Sequence, residues 1–277
     1  MEVKTILVAL AAGPSAQTVT HGAVIMARAH QAQLLGVHVI DILPFAGYLD
    51  ADTPAEILEM QREKLFADAK QTEATFKQIC DEAQVDAQWQ CIEGSTHHLL
   101  DQYSRYCDLV CVSAPTTTED NFSSLPKGED LVFSTGRPVL LIPEAFEAAG
   151  IGKHVTIAWN GSREAAKAIS NAMPILSLAD KVSVVCVVDD DCNDAQARSC
   201  VEDMGRYLER HGVTAQEQVL DAGNVAPAQY LHDWARVEGS DLLVMGAYGH
   251  ARIREFILGG VTRWSVRHST IPVLMTH

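Results

Sequence analysis

The chain of 277 residues carries 21 basic and 36 acidic side chains, a formal net charge of −15, and 47% of its residues are hydrophobic. A domain takes roughly 150 residues, so this length predicts two domains. The negative charge argues against a nucleic-acid-binding or membrane-surface role, because both partners are polyanions. The sequence has no apolar run near the roughly 18 residues that span a bilayer and no signal-peptide pattern, so we expect a cytoplasmic protein.

The first 146 residues alternate short apolar runs with helical segments. The longest helix is predicted from Pro54 to Glu82, because its apolar residues recur along one stripe. The predicted strands are rich in Val, Ile and Leu and comprise residues 5–10, 34–41, 108–112 and 138–142. Unbroken apolar runs of this kind are typical of strands that are buried on both faces, and they predict parallel β/α units.

The same order of elements recurs in the second half. Its predicted strands comprise residues 155–159, 182–189, 241–245 and 272–275. The offset between the copies falls from 149 at the first strand (155 minus 6) to 134 at the last (272 minus 138), so the chain is a duplication with loops of unequal length. We predict domains at residues 1–146 and 151–277, each an open, doubly wound sheet of about five mainly parallel strands with helices on both faces.

Glycines follow the fourth strand of the second copy and precede its last helix. Gly246, Gly249, Gly259, Gly260 and Thr262 form the pattern Gly-x2-Gly-x9-Gly-Gly-Val-Thr. In doubly wound sheets, ligands bind beyond the carboxyl ends of the strands, where the strand order reverses. Glycines there let backbone N–H groups reach phosphate oxygens, and a helix N-terminus attracts the same anion. The pattern therefore predicts a phosphate-binding loop.

Other side chains in or beside this loop allow two interpretations each. Arg252, Arg254 and Arg263 either pair with phosphates or form a solvated charge cluster. His250 either contacts a phosphate or is simply exposed, and we expect exposure. Trp264 is expected to pack between helix and sheet rather than to stack on a base.

These glycines, together with the strand and helix that flank them, resemble the universal stress protein family. Its nucleotide-binding members carry Gly-x2-Gly-x9-Gly-Ser/Thr between the fourth strand and the last helix, and Gly246, Gly249 and Gly259 fall on its three glycines. Gly260 stands at the Ser/Thr position, so a hydroxyl contact would have to come from Thr262. The resemblance covers both copies and implies a tandem member with an α/β fold of the adenine nucleotide alpha hydrolase type.

The resemblance implies further nucleotide contacts in the second copy. Asn160 stands where the family usually has an Asp that faces the adenine or ribose, and it brings no charge. Val187 matches a valine that packs near the adenine, although Val187 and its counterpart Val39 are equally explained as core valines. Gly260 and Val261, at the start of the last helix, complete the expected contacts to phosphate.

The first copy departs from the family pattern. Ala11 replaces the Asp, residues 113–118 contain no glycine, and Gly128 is followed by Glu129, whose charge would repel phosphate. The first 150 residues also hold most of the negative charge, 9 basic minus 21 acidic (−12), against 12 minus 15 (−3) in the rest. We therefore expect one nucleotide site per chain, with the first copy as a scaffold.

The implied function is the binding of ATP, or of AMP or ADP, in a stress response. We expect at most weak ATPase activity, because no catalytic base can be assigned and the nucleophile-elbow, zinc-protease and P-loop motifs are missing from the sequence. The acidic run Asp189–Asp191 either holds a Mg²⁺ ion beside the nucleotide or is a solvated loop. The adjacent His97 and His98 and the scattered cysteines predict no metal site. A bulky residue at Gly246 is predicted to abolish nucleotide binding.

Two other functions stay open. The tandem sheet could be a nucleotide-free adaptor, since Gly260 and Asn160 replace the usual Ser/Thr and Asp. An adenylyl-transferring enzyme is a weaker alternative, because its catalytic motif is not visible. Family members with one copy commonly pair through their last strands, so the two copies are expected to form a pseudo-dimer within the chain. Further homodimerisation and the identity of a protein partner are left open.

Overall fold

The computed structural model describes residues 2–41, 55–114, 128–147, 150–188, 194–247 and 260–277. The chain divides into two compact units, one of residues Val3–Arg137 and the other containing Pro138–His277. Parallel strands alternate with helices in both units, which confirms the α/β class with a mainly parallel sheet. The boundary predicted between residues 146 and 151 separates the two sequence copies. The two compact units divide earlier, between Arg137 and Pro138, just before the last strand of the first copy.

The first unit has the strand order β3-β2-β1-β4, and its paired strands are parallel. Its strands are β1 (Thr5–Leu10), β2 (Gln33–Ile40), β3 (Ala87–Glu93) and β4 (Leu109–Ser113). Its helices are α1 (Ser15–His30), α2 (Ala55–Glu82), α3 (Thr96–Ser104) and α4 (Gly128–Ser134). The predicted long helix is thus confirmed as α2.

The helices of this unit cover two faces. The chain moves outward from β1 to β2 and β3 and then returns across the sheet to β4. Because parallel crossovers are right-handed, the helices of the outward path lie on one face and the helix of the return lies on the other. Accordingly, α1 packs against α2, and α3 packs against α4.

The second unit has the strand order β5-β10-β9-β6-β7-β8. Its strands are β5 (Val139–Ile142), β6 (His154–Ala158), β7 (Lys181–Val188), β8 (Ala215–Asp221), β9 (Leu242–Gly246) and β10 (Val273–Thr276). Its helices are α5 (Arg163–Leu176), α6 (Asp194–Arg210), α7 (Pro227–Val237) and α8 (Gly260–His268). β5 pairs antiparallel with β10, with Leu140 opposite Leu274, so the last strands of the two copies pair within one chain, as expected.

An aspartate at the start of the fourth strand has the same role in both units. Asp108 Oδ2 accepts hydrogen bonds from the backbone N–H groups of Lys4 at 2.8 Å and Thr5 at 3.0 Å. Asp241 accepts three such bonds from residues 152–154, at 2.9, 3.0 and 3.1 Å. Each carboxylate satisfies N–H groups at the amino end of the first strand and so ties the first strand to the fourth.

The middle of each sheet is apolar. Every residue of β5 is buried, and β1 is buried from Ile6 to Leu10, as the unbroken apolar runs predict for strands covered on both faces. None of the helices in the described parts of the chain combines the length and apolarity that crossing a bilayer requires.

Candidate functional site

The strand order of the second unit reverses next to β6. From β6 the chain proceeds through β7 to β8 on one side and then returns to β9 on the other. Ala158, the last residue of β6, is paired with Val185 of β7 and Met245 of β9. The carboxyl ends of the three strands are therefore neighbours, and the crevice between β6 and β9 is the place where doubly wound sheets bind ligands.

The turn after β6 is a compact polar loop that starts α5. Asn160 is exposed, and its Oδ1 accepts a hydrogen bond from the Ser162 N–H at 3.1 Å. Gly161 has a φ of 74°, which favours glycine. Ser162 caps α5, because its Oγ accepts a hydrogen bond from the Ala165 N–H at 3.1 Å. Since the carbonyl oxygen of Asn160 is used within the turn, a contact from this side chain to a ligand would come from its NH₂ group.

Trp159 holds this turn on α6. Its Nε1 lies 3.0 Å from the Cys200 carbonyl oxygen and 2.9 Å from the Cys200 Sγ. Its backbone N–H also donates to the Val185 carbonyl oxygen at 2.8 Å. This contact is not predicted by the sequence pattern, although a tryptophan directly precedes Asn-Gly-Ser.

Gly246 is pressed against the first turn of α5. A Cβ atom at this position would lie 2.4 Å from the Ala165 nitrogen and 2.5 Å from the Glu164 carbonyl carbon. Gly246 is therefore required for the close approach of helix and strand. A bulky residue there would displace α5, so a loss of nucleotide binding in such a variant would not by itself identify the phosphate site.

Two valines that the sequence analysis treated together differ in the structure. Val187 lies near the carboxyl end of β7 and is half-buried, so part of its surface reaches the sheet edge. Val39 is 2% exposed and is a core valine. Only the second unit thus leaves an apolar side chain partly open at this position.

The start of α8 combines open and buried positions. A Cβ atom on Gly260 would meet no atom of the described residues within 4 Å, and Val261 is 37% exposed. Thr262 is 4% exposed and faces the interior. Other residues of the predicted site lie outside the described residues, namely Gly249, His250, Arg252 and Gly259, as do Arg254 and Asp189–Asp191.

Charged side chains that the sequence analysis missed lie beside the end of β9. Glu164 is buried, and its Oε1 accepts a hydrogen bond at 2.5 Å from Nε of Arg163, which keeps the pKa of the carboxyl below its usual range. One turn along α5, Lys167 Nζ donates to the main-chain oxygen of His277 at 2.6 Å. The His277 ring in turn lies 3.2 Å from the Ala247 carbonyl oxygen, measured from Nδ1. Arg163, Lys167 and His277 therefore place cationic or protonatable groups near the candidate crevice.

Trp264 packs against two histidine rings. Its ring lies 4.9 Å from the His232 ring of α7 and 5.0 Å from the His268 ring, with which it stacks. It therefore packs against α7 and along α8. The described residues contain no group of three His, Cys, Asp or Glu side chains that is placed to hold a metal ion.

Comparison with known proteins agrees with this architecture. The model of the universal stress protein family matches residues 2–112 and 152–277. The chain is 30% identical over 148 residues to universal stress protein Slr1230 of Synechocystis sp., an alignment that covers 53% of this chain and 49% of that protein. This chain thus spans about half the length of that relative.

Two solved structures show the same fold over nearly the whole chain. A universal stress protein from Archaeoglobus fulgidus superposes with a TM-score of 0.75 at 13% identity, covering 100% of this chain and 99% of that one. A functionally unknown protein from Pseudomonas aeruginosa superposes with a TM-score of 0.53 at 14% identity, covering 99% and 92%. With the family model matching in two successive segments, the chain belongs to the universal stress protein family, as a tandem member.

Proposed function

We propose that the second unit binds an adenine nucleotide, ATP or the related AMP or ADP, at the carboxyl ends of β6, β7 and β9. The observation that carries the proposal is the grouping of three features at one sheet edge. These are the exposed amide of Asn160, the half-buried Val187 and the open start of α8 at Gly260. The start of α8 belongs to this edge because α8 connects the parallel strands β9 and β10. A crossover helix runs back along the sheet, so it begins at the edge where the preceding strand ends.

Each part has a chemical role in this proposal. Val187 offers an apolar surface to the adenine, and the NH₂ group of Asn160 donates to an acceptor on the base or ribose. The N–H groups of Gly260 and Val261 and the positive end of α8 bind phosphate oxygens. Gly249, His250, Arg252 and Gly259 belong to the proposed loop on the strength of the sequence motif.

We also propose that the site binds nucleotide with little turnover, as a binding or signalling protein does. Glu164 carries a carboxyl group in the first turn of α5, against which Gly246 at the end of β9 packs. Its pKa is lowered by the hydrogen bond from Arg163, so it stays ionised and is a weak base. A Mg²⁺ ion held by Asp189–Asp191 remains part of the proposal as the companion of the phosphates.

Gly260→Asp is the sharpest test, because it separates binding from folding. The position is exposed and has room for a side chain among the described residues. A carboxylate at the start of α8 favours the helix through its dipole and repels phosphate. We expect ATP affinity in titration calorimetry to fall about tenfold or more, with no loss of stability in urea.

Gly260→Asn is the matched control, since it has nearly the same shape without the charge. It should bind ATP within about threefold of the wild-type protein. If Gly260→Asp binds ATP as the wild-type protein does, the phosphates do not lie at α8.

A nucleotide-free adaptor is the second candidate, and two observations favour it. The carbonyl oxygen of Asn160 is already used by Ser162, and Thr262 is buried, so two of the contacts that the family resemblance implies are altered. Native mass spectrometry of gently purified protein distinguishes the candidates. A mass increment equal to one adenine nucleotide per chain supports the first, and the bare chain mass after addition of ATP supports the second.

A further inference from the structure

A buried histidine lies on the apolar stripe of α7. The side chains that α7 buries are Ala228, Leu231, His232 and Ala235, a spacing typical of the core face of a helix. His232 is 7% exposed, and burial lowers the pKa of its imidazole to about 4, so the ring is neutral near pH 7. A buried imidazole is stabilised by a hydrogen-bond partner within the protein, because burial removes most of its contact with water.

The partner comes from α8. His232 Nε2 lies 2.8 Å from the Oγ of Ser265, a residue that is 0% exposed. The His232 ring also packs against Trp264, which stacks on His268 one turn further along α8. The two helices are therefore joined by one buried hydrogen bond and a row of three aromatic rings.

This hydrogen bond favours one rotational setting of α8. A shift by one residue along the helix corresponds to a rotation of about 100°. Such a rotation would move Ser265 away from His232 and leave a buried imidazole without this partner. Buried polar pairs specify register in this way, because the alternative settings leave them unsatisfied.

We propose that His232 is a positioning residue for the nucleotide site: through Ser265 it sets the rotation of α8 and thereby the direction of the N–H groups of Gly260 and Val261. The inference rests on the proposed function, since it concerns the helix whose N-terminus would bind the phosphates. Ser265 follows Gly260 by less than two helical turns. The hydrogen bond between Ser265 and His232 is thus close enough to the start of α8 to orient it without touching the nucleotide.

Three substitutions test this role. Ser265→Ala removes the hydroxyl with little change in volume, His232→Leu removes the imidazole, and His232→Gln keeps a polar group near the position of Nε2. We expect Ser265→Ala and His232→Leu to weaken ATP affinity roughly three- to tenfold, as the loss of one buried hydrogen bond would. Both should also speed hydrogen exchange of the α8 amides. His232→Gln should restore affinity to within about twofold of wild type.

Ser104→Ala in α3 is the matched control. Ser104 is also 0% exposed, and its Oγ donates to the Asp101 carbonyl oxygen at 2.8 Å, so the variant loses an equally buried hydroxyl in the other unit. It should lower stability and leave ATP affinity unchanged.

Two results would overturn the inference. One is an equal loss of ATP affinity in Ser104→Ala, and the other is unchanged affinity in Ser265→Ala. If the wild-type protein binds no adenine nucleotide, the proposed function fails. The hydrogen exchange of α8 in Ser265→Ala then decides separately whether the bond orients the helix.

Discussion

The two units are alike at the amino ends of their strands and different at the carboxyl ends. Asp108 and Asp241 bind backbone N–H groups at the start of the first strand in both units. At the other end, the second unit exposes Asn160 after its first strand, whereas the first unit has Ala11, 9% exposed, at the corresponding place. In parallel α/β sheets ligands bind at the carboxyl ends. The two copies thus retain the same contacts at the amino ends of the strands, which align the sheet, and differ at the carboxyl ends, where ligands can bind.

The helix that follows the first strand shows the same divergence. In the second unit α5 is capped by Ser162 and held by Trp159, which contacts Cys200. In the first unit α1 follows Pro14, for which no side-chain cap is present among the described residues. The two turns are therefore not interchangeable, and variants placed at corresponding positions should have unequal effects.

The largest difference in the free energy of unfolding between variants at corresponding positions is expected at the ends of β4 and β9. Gly246→Val would force a side chain into the backbone of α5, which lies within 2.5 Å of the added Cβ atom. We expect a loss of at least about 3 kcal/mol in the free energy of unfolding, as for severe overpacking, measured by urea denaturation.

The corresponding residue at the end of β4 is Ser113, where a side chain is already accommodated. Ser113→Ala should change the free energy of unfolding by less than about 1 kcal/mol. Comparable losses in the two variants would show that the ends of β4 and β9 are equivalent after all.

We expect the second unit to lose stability in acid through His232. Burial lowers the pKa of His232 from its ordinary 6.5 to about 4, with Asp233 opposing this and His268 adding to it. Below pH 6.5 the unfolded chain binds a proton that the folded chain excludes. The stability that the neutral imidazole contributes is therefore complete above pH 6.5 and is lost as the pH falls toward 4. A pKa difference of about 2.5 (6.5 minus 4) corresponds to about 3 kcal/mol in the free energy of unfolding.

His232→Gln should flatten this part of the curve of urea midpoint against pH. The first unit retains its own acid sensitivity through His38, whose pKa burial also lowers. Coincident curves for wild type and variant between pH 6.5 and 4 would mean that His232 does not stay neutral in the folded protein.

Substituting the aspartate at the amino end of either sheet should lower the free energy of unfolding, by similar but unequal amounts. Asp241→Ala removes three charge-assisted hydrogen bonds to backbone N–H groups, and Asp108→Ala removes two. We expect losses of about 3 and about 2 kcal/mol in urea denaturation. A neutral effect of either variant would contradict the view that both copies use this aspartate to align their first strand.

The smallest expected effect is that of Trp159→Phe. The variant keeps an aromatic ring and removes the indole N–H that lies within 3.0 Å of Cys200. We expect a loss of about 1 kcal/mol, the net value of one hydrogen bond, with faster hydrogen exchange at the start of α5. Unchanged exchange there would show that the turn after β6 does not depend on this contact.

Much of the fold could be predicted from local patterns. The apolar runs identified the buried strands but not β3 and β8, whose side chains are exposed or half-buried. The apolar stripe of α2 identified the longest helix, because burial on a sheet or on one helix face imposes a period on the sequence. The strand context and the spaced glycines placed the candidate site at the end of β9. The packing of Gly246 against α5 could not be predicted, since glycine occurs both at close approaches and at phosphate-binding turns.

The sequence by itself determined the α/β class, the duplication and the unequal divergence of the two copies. Only the tertiary structure showed that the Trp159 side chain contacts Cys200 and that His232 lies within hydrogen-bond distance of Ser265. The physical reason is the range of the interactions involved. Periodicity records the burial of one element along its own length, whereas these contacts join segments that are distant in the chain and meet only when the layers pack.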